Sequence, residues 1–95
     1  MADYFSNKRI WITGASSGIG EALSKAFARH GAHLILSARN ETELNRVAAL
    51  CQEAGAASVL IRVLDLARND SIAPAVEEEL RQTGKIDILI NNGGV

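Results

Sequence analysis

The segment 13–20, TGASSGIG, carries three glycines in eight residues and directly follows a run of β-branched and aromatic residues at 9–13. Such a run is typical of a strand. After the first glycines, apolar residues recur at the four-residue spacing of a helix, at Ile19, Leu23 and Phe27. The pattern predicts a strand, a glycine loop and a helix, in that order.

The rest of the chain repeats this alternation of short apolar runs and longer helical patterns. The predicted strands cover 9–13, 33–37, about 58–64 and 86–91. His30 and a C-capping Gly31 end the first helix. The second helix begins at Asn40, which with Glu43 resembles a capping box, and it ends by Gly55.

The third helix is predicted to begin near Asp70 or Ser71 and to end at Gly84. Its buried stripe is expected to contain three apolar residues, Ile72, Val76 and Leu80. Strands alternating with helices at this spacing predict an α/β fold, a Rossmann-type doubly wound parallel sheet with right-handed crossovers and the strand order 3-2-1-4. A ligand is then expected beyond the carboxyl ends of the strands, between the first and fourth.

Composition limits the kind of partner. Ten basic and eleven acidic residues give a net charge of -1 without a basic stripe, which argues against nucleic acid and anionic membranes as partners. The one cysteine, Cys51, excludes an internal disulfide and a metal site built from several cysteines. No apolar run reaches the length of a signal peptide or a membrane span, so we expect a soluble, cytoplasmic protein.

The glycine loop is the strongest candidate site. Glycines at such a connection let the backbone turn tightly and approach a pyrophosphate, and the helix that follows offers free N–H groups and a positive dipole end. The spacing is G-x-x-x-G-x-G instead of the commoner G-x-G-x-x-G. The alternative is that the glycines only permit a tight connection. The cofactor-binding candidates here are Gly14, Ser16, Ser17, Gly18, Ile19 and Gly20.

The octapeptide TGASSGIG resembles the TGxxxGIG cofactor motif of the classical short-chain dehydrogenases/reductases, and the resemblance extends from about Lys8 to Val95. By this resemblance Asp65, followed by Leu66, is the acidic residue beside the adenine ring. The sequence NNGG at 91–94 is similar to the family's NNAG motif, with Gly93 in place of alanine. The alternatives are a turn residue at Asp65 and asparagines that only brace the sheet.

The resemblance implies hydride transfer between a nicotinamide and an alcohol or carbonyl, with cofactor contacts at Asn91 and Gly93. The end of the second strand decides between cofactors, because an acidic residue there would bind the 2′-hydroxyl of NAD. That position holds Ala38, and the next residue is Arg39, whose guanidinium suits a 2′-phosphate. NADP(H) is therefore predicted, although Arg39 could instead be merely solvated.

The family's catalytic tyrosine, lysine and serine have no counterpart here. Tyr4 is the one tyrosine, it precedes the first strand, and no Y-x-x-x-K occurs, so no catalytic residue is assigned. We therefore expect residues 1–95 to be the N-terminal NADP(H)-binding part of a single Rossmann-fold domain whose remainder is absent, and to be inactive alone. By resemblance the whole protein is a homo-oligomer acting on a small carbonyl or alcohol.

Two alternatives stay open. One is a non-catalytic dinucleotide-binding module that senses or regulates. The other is an extended-type relative acting on nucleotide sugars, although such proteins resemble G-x-x-G-x-x-G, which this loop does not. Trp11, in the middle of the first strand, is expected in the core, and neither His33 nor Cys51 is assigned any chemistry.

Overall fold

Four parallel strands form one sheet in the order β3-β2-β1-β4, as the sequence predicts. The computed structural model describes residues 4–64 and 72–92. The elements in chain order are β1 (Arg9–Thr13), α1 (Gly18–Arg29), β2 (His33–Ala38), α2 (Glu41–Ala54), β3 (Ser58–Val63), α3 (Ile72–Thr83) and β4 (Ile88–Asn91). Each helix connects two parallel strands, so the fold class expected from the alternation is confirmed.

Strand β4 is shorter than predicted, because it begins at Ile88 and not at Ile86. Asp87 leads into it: its backbone N–H donates to the carbonyl of Arg9, and its carboxylate accepts from the backbone N–H of Arg9. Helix α3 begins at Ile72, and the predicted starting residues Asp70 and Ser71 lie outside the described residues.

The main core lies between one face of the sheet and the helices α1 and α2. The sheet supplies Ile10, Ile12, Leu34 and Leu36, and α2 supplies Leu44, Val47 and Cys51, all of them buried. Trp11 points to the opposite face and is 1% exposed, which confirms its expected place in the interior. Both faces of the central strands are therefore covered, as the continuous apolar runs require.

Helix α1 buries small residues. Its buried residues are Gly20, Ser24 and Ala28, whereas Ile19 is 69% exposed. Small side chains at four-residue spacing let a helix approach a sheet closely, and the Ser24 hydroxyl is satisfied by donating to the Gly20 carbonyl at 2.7 Å. The helix that the spacing of Ile19, Leu23 and Phe27 predicts is confirmed, and Phe27 is partly buried against the core.

Helix α2 begins and ends as predicted. The Asn40 side chain caps its N-terminus by accepting the backbone N–H of Glu43 at 3.1 Å. The Glu43 carboxylate itself accepts from Arg46, one turn further along. At the other end Gly55 adopts a left-handed conformation with φ of 117°, which glycine adopts without a Cβ penalty.

Helix α3 lies on the second face of the sheet, and its predicted stripe is only partly right, since Val76 is half-buried. Among its described side chains Glu79 is the buried one, at 2% exposed, and its carboxylate accepts from the Arg62 guanidinium at 2.6 Å. Leu80 is 42% exposed, contrary to expectation, and the side chain of Ile72 lies outside the described part. Strand β3 presents Arg62 to this face, so the paired carboxylate of Glu79 is buried there and the neighbouring Leu80 is not.

Candidate cofactor-binding site

The glycine loop turns away from the end of β1 and is tied to the neighbouring strand. Gly14 has φ of 64°, in the left-handed region where glycine is favoured, directly after Thr13 ends β1. The backbone N–H of Ala15 then donates to the carbonyl of Ser37 at 3.0 Å. The loop is thereby held at the carboxyl edge of the sheet, beside both β1 and β2.

Ser17 is the N-cap of α1, and its contacts decide which backbone N–H groups at the start of the helix are left without an acceptor. Its hydroxyl accepts the N–H of Gly20 at 3.1 Å, and its carbonyl accepts the N–H of Glu21 at 2.7 Å. In the described part of the chain no acceptor bonds the amides of Gly18 and Ile19, the first two residues of the helix. These N–H groups and the helix dipole form an anion-binding end.

The second and third glycines of the loop lie in different surroundings. A Cβ added at Gly18 would have nothing within 4 Å, so the space beside this residue is open to a ligand. A Cβ at Gly20 would come within 2.0 Å of the Gly14 carbonyl oxygen and 2.9 Å of the Ala15 Cα. Gly20 is therefore required by packing inside the protein, whereas Gly18 borders free space.

The end of β4 is tied to β1 and to the loop by two asparagines. The Thr13 hydroxyl donates to the Asn91 side-chain oxygen at 2.9 Å, across paired residues of the two strands. The Asn92 amide donates to the Gly14 carbonyl at 3.1 Å and to the Ser17 hydroxyl at 2.9 Å. Asn92 is absent from the predicted cofactor-binding residues, but it belongs to the NNGG segment, whose asparagines brace the sheet in the alternative interpretation of the sequence.

Arg39 follows the last residue of β2 and is exposed. With Asn40 and Glu41 it lines a shallow open depression at the start of α2. Ala38, just before it, is 8% exposed and belongs to the core. Among residues 4–64 and 72–92 no carboxylate pairs with the Arg39 guanidinium.

One carboxylate lies close to the anion-binding end of α1, and it is compensated. Glu21, in the first helical turn, accepts from Arg46 of α2 at 2.8 Å and lies 3.5 Å from the Lys25 ammonium. The hydrogen bond from Arg46 is the main reason that the pKa of Glu21 is lowered. Glu21 is therefore ionised but neutralised by neighbours, so its repulsion of a nearby phosphate is reduced.

Of the remaining residues considered for the site, some are described by the structure and others are not. Ser16 is half-buried in the loop, next to Ser17, and makes no hydrogen bond within the described part. Asp65, Leu66 and Gly93 lie outside the described residues. Tyr4, at the opposite end of β1, packs edge-on against Phe5.

Two further properties concern metals and membranes. No group of three or more His, Cys, Asp or Glu side chains converges in a metal-binding arrangement within the described ranges. No helix in the same ranges is long and apolar enough to cross a bilayer.

Parallel strands in this order, with a glycine loop that opens a helix N-terminus beside the boundary of β1 and β4, define a Rossmann-type α/β protein. Residues 8–95 match the short chain dehydrogenase family, and the chain belongs to that family of oxidoreductases.

A curated mouse relative, dehydrogenase/reductase SDR family member 7, is 47% identical over 88 residues, which cover 90% of this chain and 26% of the relative. The chain thus spans about a quarter of the length of that relative. L-sorbose reductase from Gluconobacter frateurii, complexed with NADPH and L-sorbose, has a TM-score of 0.85 and 38% identity, covering 100% of this chain and 36% of that one. An NADH-dependent reductase complexed with NAD has a TM-score of 0.82 and 28% identity, covering 96% and 38%.

Proposed function

We propose that the chain binds NADP(H) at the carboxyl edge of its sheet and serves an oxidoreductase that acts on a small alcohol or carbonyl compound. The observation that carries the choice of cofactor is the exposed Arg39, which no described carboxylate pairs, directly after Ala38 at the end of β2. A carboxylate at position 38 would repel a 2′-phosphate, and a guanidinium at position 39 attracts one.

The described residues fit a dinucleotide. The open amides of Gly18 and Ile19 suit the pyrophosphate, and the free space beside Gly18 leaves room for it. Arg39 suits the 2′-phosphate on the adenosine ribose. Ser16 and Asn91 are proposed to contact the cofactor as well, together with Asp65, Leu66 and Gly93. When bound, the nicotinamide supplies the hydride that the reaction transfers.

The similar proteins support a nicotinamide dinucleotide without choosing its form, because one solved neighbour is complexed with NADPH and another with NAD. Arg39 and Ala38 therefore carry the choice alone. The substrate class rests on family membership, since this family comprises dehydrogenases. The homo-oligomer and the cytoplasmic location expected from the sequence stay predictions.

Cofactor titration of the full chain tests the proposal. Trp11 is the one tryptophan, so energy transfer from its indole to reduced nicotinamide reports binding of both NADPH and NADH. Arg39→Ala should weaken NADPH binding by about ten- to hundredfold, the worth of one charge-assisted contact. NADH binding should change little. Arg39→Lys keeps the charge but loses the forked guanidinium, so its affinity for NADPH should lie between those of the unaltered chain and Arg39→Ala.

The matched control is Arg29→Ala, which removes the same charge from an exposed position in the last turn of α1. Affinity for both cofactors should be unchanged in that variant. Equal weakening of NADPH and NADH by Arg39→Ala would contradict the preference for NADP(H). No binding of either cofactor by the unaltered chain would contradict the function itself.

A further inference from the structure

The Ser17 hydroxyl has no hydrogen-bonding capacity left for a ligand. A hydroxyl has one hydrogen to donate and two lone pairs to accept with. That of Ser17 donates to the Gly14 carbonyl at 2.8 Å and accepts from the Gly20 N–H at 3.1 Å and from the Asn92 amide at 2.9 Å. All three capacities are used inside the protein.

The Asn92 side chain donates into the glycine loop. Its nitrogen Nδ2 donates to the Gly14 carbonyl at 3.1 Å and to the Ser17 hydroxyl at 2.9 Å. Both acceptors belong to the glycine loop, 75 and 78 residues earlier in the chain. Asn92 therefore links the end of β4 directly to the loop.

The Gly14 carbonyl is the group on which these contacts converge. It accepts from the Ser17 N–H, the Ser17 hydroxyl and the Asn92 amide, and it lies 2.0 Å from where a Cβ of residue 20 would be. These donors hold the carbonyl oxygen against the start of α1. A carbonyl oxygen turned towards a pyrophosphate would repel it, so this orientation leaves N–H groups alone to face the anion.

We propose that Asn92 and Ser17 are paired positioning residues that hold the glycine loop in its anion-binding shape, and that neither side chain contacts the cofactor. This inference rests on the proposed function for its ligand. The role of this pair differs from that of Arg39. A loop that presents its amides poorly binds the pyrophosphate weakly, and NADPH and NADH both contain the pyrophosphate. The pair therefore governs affinity for both cofactors and not the choice between them.

The test compares the dissociation constants of NADPH and NADH for the unaltered chain, Asn92→Ala, Ser17→Ala and the double variant. Each single change should weaken both cofactors by about five- to thirtyfold, as loss of one or two hydrogen bonds implies. The ratio of the two constants should stay constant. The dissociation constants of the double variant should be no larger than those of the single variant that binds the cofactors more weakly, because the two residues act through the same contacts.

Two matched substitutions distinguish a positioning role from a general loss of folding or stability. Ser17→Thr keeps the hydroxyl and should retain near-normal affinity, whereas Asn45→Ala, on the exposed face of α2, should change nothing. Far-UV circular dichroism during urea unfolding shows whether each variant is folded. Unchanged affinity in Asn92→Ala, additive losses in the double variant, or a changed NADPH-to-NADH ratio in Ser17→Ala would each overturn the inference.

Amide hydrogen exchange of the cofactor-free chain keeps this inference distinct from the proposed function. The Gly20 N–H, which donates to Ser17, should exchange about five- to thirtyfold faster in Asn92→Ala while core amides are unchanged. The unaltered chain could bind neither cofactor while Gly20 exchange still accelerates in Asn92→Ala; the proposed function would then fail, and the positioning role of Asn92 and Ser17 would stand. Unchanged Gly20 exchange in Asn92→Ala would overturn the positioning role, whether or not the chain binds a cofactor.

Discussion

The indole N–H of Trp11 donates to the Ser37 hydroxyl at 2.8 Å, and the two side chains are 1% and 0% exposed. The contact runs diagonally from β1 to β2, because Trp11 is paired in register with Ile35 and Ser37 with Thr13. It satisfies the single polar atom of the tryptophan on the face of the sheet that α3 covers. A serine in an otherwise apolar strand is thereby explained.

Ser37→Ala should leave the indole N–H buried without an acceptor. The free energy of unfolding should fall by about 1 to 3 kcal/mol, the penalty for an unsatisfied buried donor. Urea unfolding followed by far-UV circular dichroism measures this. In a Trp11→Phe background, which has no N–H to satisfy, the same substitution should cost much less. An equal cost in both backgrounds would show that the hydrogen bond is not the cause.

Gly20→Ala and Gly18→Ala should have opposite consequences for folding. The methyl group at position 20 meets the Gly14 carbonyl oxygen at 2.0 Å, so α1 or the loop has to move, and we expect a loss of about 1 to 3 kcal/mol in unfolding free energy. The methyl group at position 18 meets nothing within 4 Å, and stability should be unchanged or slightly higher. Thermal unfolding of both variants checks this. Equal stability would contradict the packing role of Gly20.

Stability should fall in acid partly through Asp87. Its carboxylate accepts the backbone N–H of Arg9 at 2.8 Å, and this hydrogen bond is the main reason that the pKa of Asp87 is lowered. A carboxyl whose pKa is lower in the folded state stabilises the fold above its unfolded pKa of about 3.9, and the contribution is lost as pH falls through the folded value.

Urea unfolding between about pH 5 and pH 2 measures this contribution. Asp87→Asn should flatten the fall in unfolding free energy over that range, because the amide cannot titrate. Glu53→Gln, an exposed substitution on α2, is the matched control and should leave the pH dependence close to that of the unaltered chain. An unchanged slope in Asp87→Asn would show that the pairing with Arg9 does not carry the effect.

Cys51 should be chemically inert in the folded chain. The thiol is buried between α2 and the sheet, and burial raises its pKa to about 11, so almost none is thiolate at neutral pH. Labelling with a thiol reagent near neutral pH should follow the rate of unfolding. Ala49→Cys in a Cys51→Ala background puts a thiol on the exposed face of the same helix and should react at once. Fast labelling of Cys51 in folded protein would contradict its burial.

Strands, helices and their order follow from local patterns. Asn40 and Gly55 delimit α2 as the sequence predicts, because a capping side chain and a left-handed glycine act within a few residues. The order β3-β2-β1-β4 also follows, since parallel strands joined by right-handed crossovers leave few arrangements. Prediction failed where burial depends on which side chains meet between two elements. Leu80 was expected in the buried stripe of α3 but is 42% exposed, whereas the neighbouring Glu79 is buried against Arg62.

The sequence by itself determined a parallel α/β fold with a glycine loop at the start of α1, because glycine, β-branched residues and apolar spacing act through local backbone preferences. Tertiary structure alone decided which polar groups meet. Glu79 is buried because Arg62 lies opposite it on β3, and Asn92 reaches Gly14 and Ser17 because β4 lies beside β1. Such contacts join residues far apart in the chain, so no local pattern specifies them, and only the assembled sheet brings their donors and acceptors within hydrogen-bonding distance.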